Sequence, residues 1–325
     1  MVKSSPIYPF RKPPEPGVPQ QIADGIYWLR MPLPFRLDHI NLWLLEESDG
    51  WTIVDTGLAT EDTTELWLKL SSIVSAKKPV KRLIATHMHP DHIGLAAWLC
   101  RHSGAEFWMS RSEYMHCRIL LADSNREAPE EAISFYRAAG FSDQQLRYYR
   151  AKFGSFGSMV RGMPATYHRL QHGDSFIIGG RRWQLVMGEG HSPEHACLHC
   201  PELDLFIAGD QLLPTISSNV SVWPMALLPE KTLVLPSHGL PFTGAQPRLQ
   251  ALIDGHQRDL ERIMQNCDEP KRVVDLFPLL FKAPIGNSML VLATGESYAH
   301  LHYLMARGKV AMQTDNTGVN WYQRA

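Results

Sequence analysis

The stretch Thr86-His87-Met88-His89-Pro90-Asp91-His92 places three imidazoles and a carboxylate within six positions, directly after a strand-like run at 81–85. Because side chains alternate along a strand, the first two histidines point to one side, and the turn at the proline brings the aspartate and the last histidine to a neighbouring position. Imidazole and carboxylate are ligands that zinc, manganese and ferrous iron accept. Buried ionisable groups need hydrogen-bonding or charged partners, so a cluster of this composition does not suit a hydrophobic core. The stretch therefore predicts a metal site.

Three later segments repeat this pattern, in which a short apolar strand is followed by a ligand-type residue beside Gly or Pro. They are Gly190-His191-Ser192-Pro193 after 182–186, Ala208-Gly209-Asp210 after 203–207, and Ser237-His238-Gly239 after 232–236. Side chains at the ends of several strands can converge on one edge of a sheet, where loops carry chemistry on a rigid scaffold. We therefore expect these residues to complete the site of the first cluster.

In this order the motifs, together with Asp55 in Ile53-Val54-Asp55-Thr56-Gly57, resemble the metallo-β-lactamase-fold hydrolase superfamily over about residues 20 to 245. The resemblance implies an αββα sandwich with two metal ions in a cleft at one sheet edge. It implies that His87, His89 and His191 hold the first metal, that Asp91, His92 and His238 hold the second, and that Asp210 bridges them. Asp55 would orient a ligand. His195 is expected beside the site and not as a ligand.

The identity of the bridging residue narrows the class of hydrolase that the resemblance implies. Asp210 is an anionic oxygen ligand, whereas true β-lactamases of the superfamily generally use Cys or Ser there, so penicillin hydrolysis is disfavoured. The expected activity is hydrolysis of a small ester, thioester or lactone by a hydroxide that bridges the two metals, with Asp91 and Asp210 as catalytic carboxylates. Zinc is the expected metal, although iron and manganese suit the same ligands.

Two alternatives from other classes stay open. The first is a metal-dependent phosphodiesterase or ribonuclease whose C-terminal module grips RNA, and the second is a non-catalytic binding protein. The complete ligand set disfavours the binding protein. A net charge of −1 gives no bulk attraction to nucleic acid or to an anionic membrane. We therefore expect a small-molecule substrate, no membrane partner and a protein that could form a homodimer.

The length of 325 residues and the hydrophobic content of 44% agree with one large domain and an appendage. The start of the chain is proline-rich and lacks a signal-like apolar segment, and no run approaches the roughly 18 apolar residues of a membrane span. The odd number of cysteines, five, predicts a reducing cytoplasm and not a disulfide framework. Cys197-Leu198-His199-Cys200 has the alternation of a strand and lacks the second ligand pair of a zinc motif.

The predicted domain organisation has three parts. Residues 1–20 form an extended proline-rich strap, 21–245 a catalytic domain and 246–325 a C-terminal module. Within the catalytic domain, residues 110–170 are predicted to form a helical insertion, and we hypothesise that it is a lid over the cleft. Its candidate substrate contacts are Tyr114, Arg118, Tyr148, Tyr149, Phe153 and Phe156, although packing of the insertion is the favoured role for any one aromatic residue. A loop over the site is expected at 217–223.

The C-terminal module is predicted to contain three helices, at 247–264, from 269 onward and at 297–305, and a hairpin around Asp315-Asn316-Thr317-Gly318. This order resembles a winged-helix module, as in the β-lactamase-like-2 branch of the superfamily. The third helix carries His300, His302 and Arg307 and no row of Lys and Arg, so packing or dimer formation is favoured over nucleic-acid binding. His300 and His302 are expected to be surface or interface residues and not a third metal site.

Overall fold

The structure is a computed structural model that describes residues 6–74, 78–216 and 229–325. Its contacts divide the chain into two compact units, Met1–Ser124 with Ser155–Gln250 and Asn125–Gly154 with Ala251–Ala325. Residues 125–154, which belong to the insertion predicted within the catalytic domain, group in this division with the C-terminal part of the chain. The loop predicted at 217–223 lies outside the described residues. In the part of the chain that is described, no helix combines the length and apolarity needed to cross a membrane.

The described residues of the first unit form two sheets. The seven strands of one sheet lie in chain order: β1 (Gln20–Ala23), β2 (Ile26–Pro32), β3 (His39–Glu46), β4 (Trp51–Val54), β5 (Val80–Ile84), β6 (Glu106–Ser110) and β7 (His168–Leu170). The other has the order β12-β11-β10-β9-β8 and is formed by β8 (Ser175–Ile178), β9 (Arg181–Gly188), β10 (His195–Cys200), β11 (Leu205–Gly209) and β12 (Leu233–Pro236). Pairing is antiparallel from β1 to β4 and from β8 to β11, and parallel from β4 to β7 and between β11 and β12.

Alternation along the strands supplies both faces of the first sheet. In β3, Leu42 and Leu44 join a core that contains residues of the helices, whereas Trp43 and Leu45 join a core shared with β9, β10 and β11. The second core therefore lies between the two sheets. The helices of this unit are α1 (Glu61–Val74), α2 (Pro90–Ile93), α3 (Ala96–Ser103) and α4 (Arg111–Ala122). The structure confirms the predicted mixed α/β fold with facing sheets and flanking helices.

The apolar run at 93–100 does not form one continuous helix. α2 ends at residue 93 and α3 begins at 96. Thr56 fills the break, because its hydroxyl donates to the carbonyl of His92 (2.8 Å) and accepts from the amide of Leu95 (3.1 Å). A side chain at Gly94 would meet the backbone of Ala59 at 2.6 Å, so the chain passes too close there for any other residue.

The second unit consists of helices and one hairpin. Its elements are α5 (Glu130–Ala138), α6 (Asp143–Lys152), residues 251–266 of α7 (Ala245–Asn266), α8 (Phe277–Leu280), α9 (Leu290–Met305), β13 (Val310–Thr314) and β14 (Asn320–Arg324). The helix predicted from 269 is instead a 3-10 turn over Val273–Leu276 followed by α8. The carboxylate of Asp275 accepts from the amide of Arg272 (2.9 Å), which fixes the later start. The predicted hairpin is confirmed.

A shared core explains why residues 125–154 belong to this unit. Ile133 of α5 and Leu146 of α6 are buried in one cluster with Ile263, Val273 and Leu301. Burial of an apolar side chain contributes about 1.5–3 kcal/mol, so these helices are stabilised by that cluster. The amphipathic patterns of α5 and α6 are visible in the sequence, but such a pattern does not specify which surface will cover the apolar face.

Candidate metal centre

The predicted ligands all follow the ends of strands. Asp55 follows β4, the His87 cluster follows β5, His191 follows β9, Asp210 follows β11 and His238 follows β12. Strands of both sheets therefore deliver these side chains to one place. The seven side chains form two groups in which the ligand-type atoms lie within 4.8 Å of one another: His87, His89, His191 and Asp210 in one, and Asp91, His92 and His238 in the other.

The first group brings three imidazole nitrogens into mutual contact. Nε2 of His87 lies 2.8 Å from Nδ1 of His89 and 3.1 Å from Nε2 of His191, and the last two atoms are 3.0 Å apart. A neutral imidazole has one N–H and one bare nitrogen, so three nitrogens in a triangle cannot all be joined by hydrogen bonds. A cation that accepts three lone pairs would satisfy them together, and zinc prefers such nitrogen ligands.

Asp210 lies between the two groups. Its Oδ2 is 3.4 Å from Nε2 of His191 and 3.6 Å from Nε2 of His92, and its Oδ1 is 3.5 Å from Nε2 of His238. Oδ2 of Asp91 lies 3.5 Å from the same nitrogen of His238. One carboxylate therefore faces imidazoles of both groups, which is the position that a bridging ligand requires.

Two buried atoms at this place have no hydrogen-bond partner, namely Nε2 of His92 and Oδ1 of Asp210. Leaving such an atom unsatisfied costs roughly 1–3 kcal/mol. An imidazole nitrogen and a carboxylate oxygen left without partners at one buried place fit a divalent cation, so the residues present suit the donor set that the sequence predicted.

Asp55 positions the loop of the His87 cluster through hydrogen bonds. Its Oδ1 accepts from the amide of Thr86 (2.7 Å), and its Oδ2 accepts from the hydroxyl of Thr86 (2.8 Å) and faces Nδ1 of His92 (2.8 Å). In the neutral ring, a proton on Nδ1 leaves Nε2 of His92 bare and aimed at Asp91 and Asp210. This geometry fits the orienting role expected of Asp55.

His195 belongs to neither group of ligand atoms. Its Nε2 accepts from the amide of Asp210 (3.1 Å), and its ring stacks on that of His87 with centroids 4.7 Å apart. Gly209 makes this approach possible, because a Cβ there would lie 2.4 Å from Cε1 of His195. His195 therefore contacts both ligand loops without offering a free nitrogen to a cation.

Residues that the sequence analysis did not identify position the His238 loop. Nδ1 of His238 donates to the carbonyl of His39 (2.8 Å), and Nε2 of His39 accepts from the amide of Gly239 (3.0 Å). Asn41 donates to the carbonyls of Pro236 and Gly239 and accepts from the indole of Trp28. A polar residue in the apolar run 40–45 is the signal that could have identified Asn41.

Glu113 of α4 is the other residue that the sequence analysis missed. This carboxylate is fully buried, and it accepts from the amide of Met88 (3.0 Å) with one oxygen and from the amide of Glu194 (2.8 Å) with the other. It therefore connects the loop of His87 to the loop of His191. Nothing in the sequence marks it, because it is one acidic residue in the first turn of an amphipathic helix.

The electrostatics separate the imidazoles into two kinds. Burial holds the pKa of His87 well below its ordinary value and lowers the pKa of His191 to about 4, so both rings are neutral and able to bind a cation. Burial would also lower the pKa of His92, but the carboxylates of Asp55, Asp91 and Asp210 outweigh it and raise that pKa well above the ordinary value. Burial is likewise outweighed at His238, chiefly by Asp210, and its pKa rises to about 10.

The predicted substrate contacts fall in both units. In the first, the hydroxyl of Tyr114 donates to the carbonyls of Pro164 and Ala165, and its ring stacks on Tyr167 with centroids 3.9 Å apart. This is the packing role favoured in the sequence analysis, and Arg118 donates to the same hydroxyl (3.3 Å).

In the second unit, Tyr149 packs against Tyr136 with ring centroids 4.4 Å apart, and Tyr148 lies half-buried on the same helix. Contact of these residues with substrate, and the lid itself, stay predictions.

Comparison with known proteins places this arrangement in a family. The family model described as the metallo-beta-lactamase superfamily matches residues 36–266, and the model described as the metallo-beta-lactamase-like C-terminal domain matches residues 260–325. A solved structure from Burkholderia ambifaria, described as a beta-lactamase domain protein, is 35% identical, covers 98% of each chain and has a TM-score of 0.87.

The relatives include proteins with functional descriptions. The probable metallo-hydrolase YqjP of Bacillus subtilis is 23% identical over 313 residues, which are 87% of this chain and 93% of that protein. The acyl-coenzyme A thioesterase MBLAC2 of Homo sapiens is 24% identical over 200 residues, which are 59% of this chain and 64% of the human protein. Fold, ligand set and relatives together define a metal-dependent hydrolase. The chain belongs to the metallo-β-lactamase superfamily, and its clusters imply divalent metals.

Proposed function

We propose that this hydrolase cleaves small acyl thioesters at a dinuclear zinc site. The observation that carries the proposal is the position of Asp210, whose carboxylate faces imidazoles of both ligand groups within 3.6 Å. The similarity to a thioesterase supports the choice of thioester among the ester, thioester and lactone substrates that the sequence left open.

The metal-binding roles follow the two groups of side chains. We assign His87, His89 and His191 to one zinc ion, Asp91, His92 and His238 to the other, and Asp210 to both. Bound zinc supplies Lewis acidity, which lowers the pKa of water and polarises a carbonyl oxygen.

The two carboxylates of the site have different roles. Burial would raise the pKa of Asp91, but the neighbouring His92 and His238 lower it overall, and Asp91 is therefore ionised near neutral pH. An ionised Asp91 accepts a hydrogen bond from the attacking water and orients it, and Asp210 holds the imidazoles of the two groups in place around it.

Exposure indicates the side from which substrate enters. The side chains of Asp91 and His191 are 20% and 16% exposed, whereas that of His92 is completely buried. The thioester carbonyl therefore approaches beside Asp91 and His191. Behind them, the buried Asp55 and Thr86 keep water away from the rear of the site.

A substrate panel tests the proposal. The zinc-loaded protein is assayed with a short acyl-coenzyme A, a lactone and an activated phosphodiester, each with and without a chelator. We expect the thioester to be cleaved fastest, and we expect chelation or Asp210→Ala to remove that activity. Phosphodiester cleavage with inert thioesters would contradict the proposal and favour the phosphodiesterase alternative. Thioester turnover that survives Asp210→Ala would contradict the role of the shared carboxylate.

A further inference from the structure

A third cluster of ligand-type side chains lies in the second unit and follows the seven residues above in the sequence. His256, Asp259 and His300 each offer one ligand-type atom, and these atoms lie within 4.8 Å of one another. His300 is only 6% exposed, so the expectation of a surface or interface residue is wrong for this side chain, whereas His302 is exposed. We infer that His256, Asp259 and His300 form a zinc site that connects α7 to α9.

Helical spacing places these donors side by side. His256 and Asp259 are three residues apart on α7, and Glu296 and His300 are four residues apart on α9. Residues at these spacings lie on one face of a helix. Each helix therefore presents an imidazole and a carboxylate on one face, which is how paired helices supply metal ligands from a bundle interior.

The hydrogen bonding of His300 exposes a lone pair to His256. Nδ1 of His300 lies 2.9 Å from the backbone carbonyl of Glu296, and a carbonyl only accepts, so this nitrogen carries the proton. In the neutral ring Nε2 is then bare. A histidine that binds a metal commonly donates its other N–H to a carbonyl in this manner, which fixes the ring orientation.

The distance between the two rings matches shared coordination. Nε2 of His300 lies 3.3 Å from Nδ1 of His256, with an angle of 36° between the ring planes. A hydrogen bond from an N–H group usually measures about 2.7–3.2 Å. Two nitrogens at about 2.0–2.1 Å from a tetrahedral zinc ion are separated by about 3.3–3.4 Å. The observed separation is therefore compatible with two ligands of one cation.

Carboxylates supply the charge that such a cation needs. Asp259 accepts from Arg262 through Oδ1 (2.8 Å), and a carboxylate has lone pairs on two oxygens, so it can bind a cation and Arg262 together. Glu296 interacts electrostatically with both His300 and Asp259. Two imidazoles and the carboxylate of Asp259, with the carboxylate of Glu296 on the neighbouring helix, favour zinc, which accepts nitrogen and oxygen ligands.

The test counts zinc in the full-length protein. After equilibration with micromolar zinc and desalting, we expect about three zinc ions per chain in the wild type and in His302→Ala, and about two in His256→Ala and His300→Ala. His302→Ala is the matched control, because it removes an exposed imidazole from the same helix. Equal zinc content in all four proteins would overturn the inference.

A second experiment, in a variant that lacks ligands of the proposed catalytic site, distinguishes the two sites. The double variant His89→Ala/Asp210→Ala should still bind zinc at the third cluster. Adding His256→Ala to this double variant should remove the remaining zinc and any zinc-dependent rise in Tm. His256 is only half-buried, so this change tests the site even if His300→Ala prevents folding. Unchanged residual zinc and an unchanged Tm response after that addition would overturn the inference, whatever the fate of thioester hydrolysis.

Discussion

Oδ2 of Asp55 lies 2.8 Å from Nδ1 of His92, and both side chains are buried. The aspartate has a left-handed backbone conformation, with φ of 63°, which directs its carboxylate back under the loop of the His87 cluster. One side chain therefore fixes the ring of His92 and, through Thr86, the course of the loop that carries four of the seven predicted ligands.

The first prediction concerns Asp55→Asn. The amide keeps the shape of the side chain but replaces one acceptor oxygen with an NH2 group, which cannot accept from Thr86 or from His92. We expect zinc affinity and turnover to fall by about 10–100-fold, as for other residues that orient metal ligands. Elemental analysis and thioester kinetics measure the two effects. Wild-type zinc content together with wild-type kcat would show that Asp55 does not orient His92.

The second prediction concerns Glu113→Gln. Glutamine retains one acceptor oxygen, so one of the amides of Met88 and Glu194 loses its buried partner. We expect the free energy of unfolding to fall by about 1–3 kcal/mol, and we expect zinc content to fall with it because both ligand loops loosen. Urea unfolding measures the stability. The control is Glu106→Gln, which removes an exposed carboxylate from the preceding strand. If Glu113→Gln lost no more stability than this control, the connecting role of Glu113 would be refuted.

The third prediction concerns Gly209→Ala. A Cβ at this position would lie 2.5 Å from Nε2 of His195, so the imidazole must move and the amide of Asp210 loses its acceptor. We expect destabilisation of about 1–3 kcal/mol and a reduced zinc content.

Gly180→Ala separates this clash from backbone strain. Gly180 also has a positive φ, of 75°, but a Cβ there meets nothing within 4 Å. Strain alone should therefore destabilise both variants, and only Gly209→Ala should lose zinc. Normal zinc content in Gly209→Ala would contradict the argument.

The fourth prediction concerns alkaline pH. Burial raises the pKa of Tyr136 to about 12 from an ordinary value of 10.0, and burial also raises the pKa of Tyr149 and Tyr322. Between these values the unfolded chain loses the proton first, so the unfolded state binds fewer protons and folding stability falls as pH rises.

Unfolding by urea at about pH 9 and about pH 11 measures this loss. Tyr136→Phe should reduce the difference in the free energy of unfolding between the two conditions, because phenylalanine has no proton to lose. An unchanged difference in Tyr136→Phe would show that this ring does not resist ionisation.

The ligand loops could be predicted from the sequence because each combines an apolar run with a ligand residue and a turn-forming Gly or Pro. That pattern locates His87, His191, Asp210 and His238 at strand ends before any coordinates are known. The two sheets follow from the same runs. The break between α2 and α3 was not predicted, since it depends on Thr56, which comes from a distant strand end.

The supporting contacts were harder to predict for a physical reason. Glu113 is distinguished only by the two amides that reach it, and those amides belong to loops about 25 and 81 residues away in sequence. The grouping of residues 125–154 with the C-terminal segment has the same cause. An apolar helix face specifies that it will be covered, but it does not specify by which part of the chain.

The wide spacing of the ligands has a consequence for biosynthesis. The first group is incomplete until residue 210 has been made, and the second until residue 238. Proteins are synthesised from the N-terminus and their domains generally fold as units. Most of the first unit must therefore be synthesised before either group of ligand-type side chains is complete.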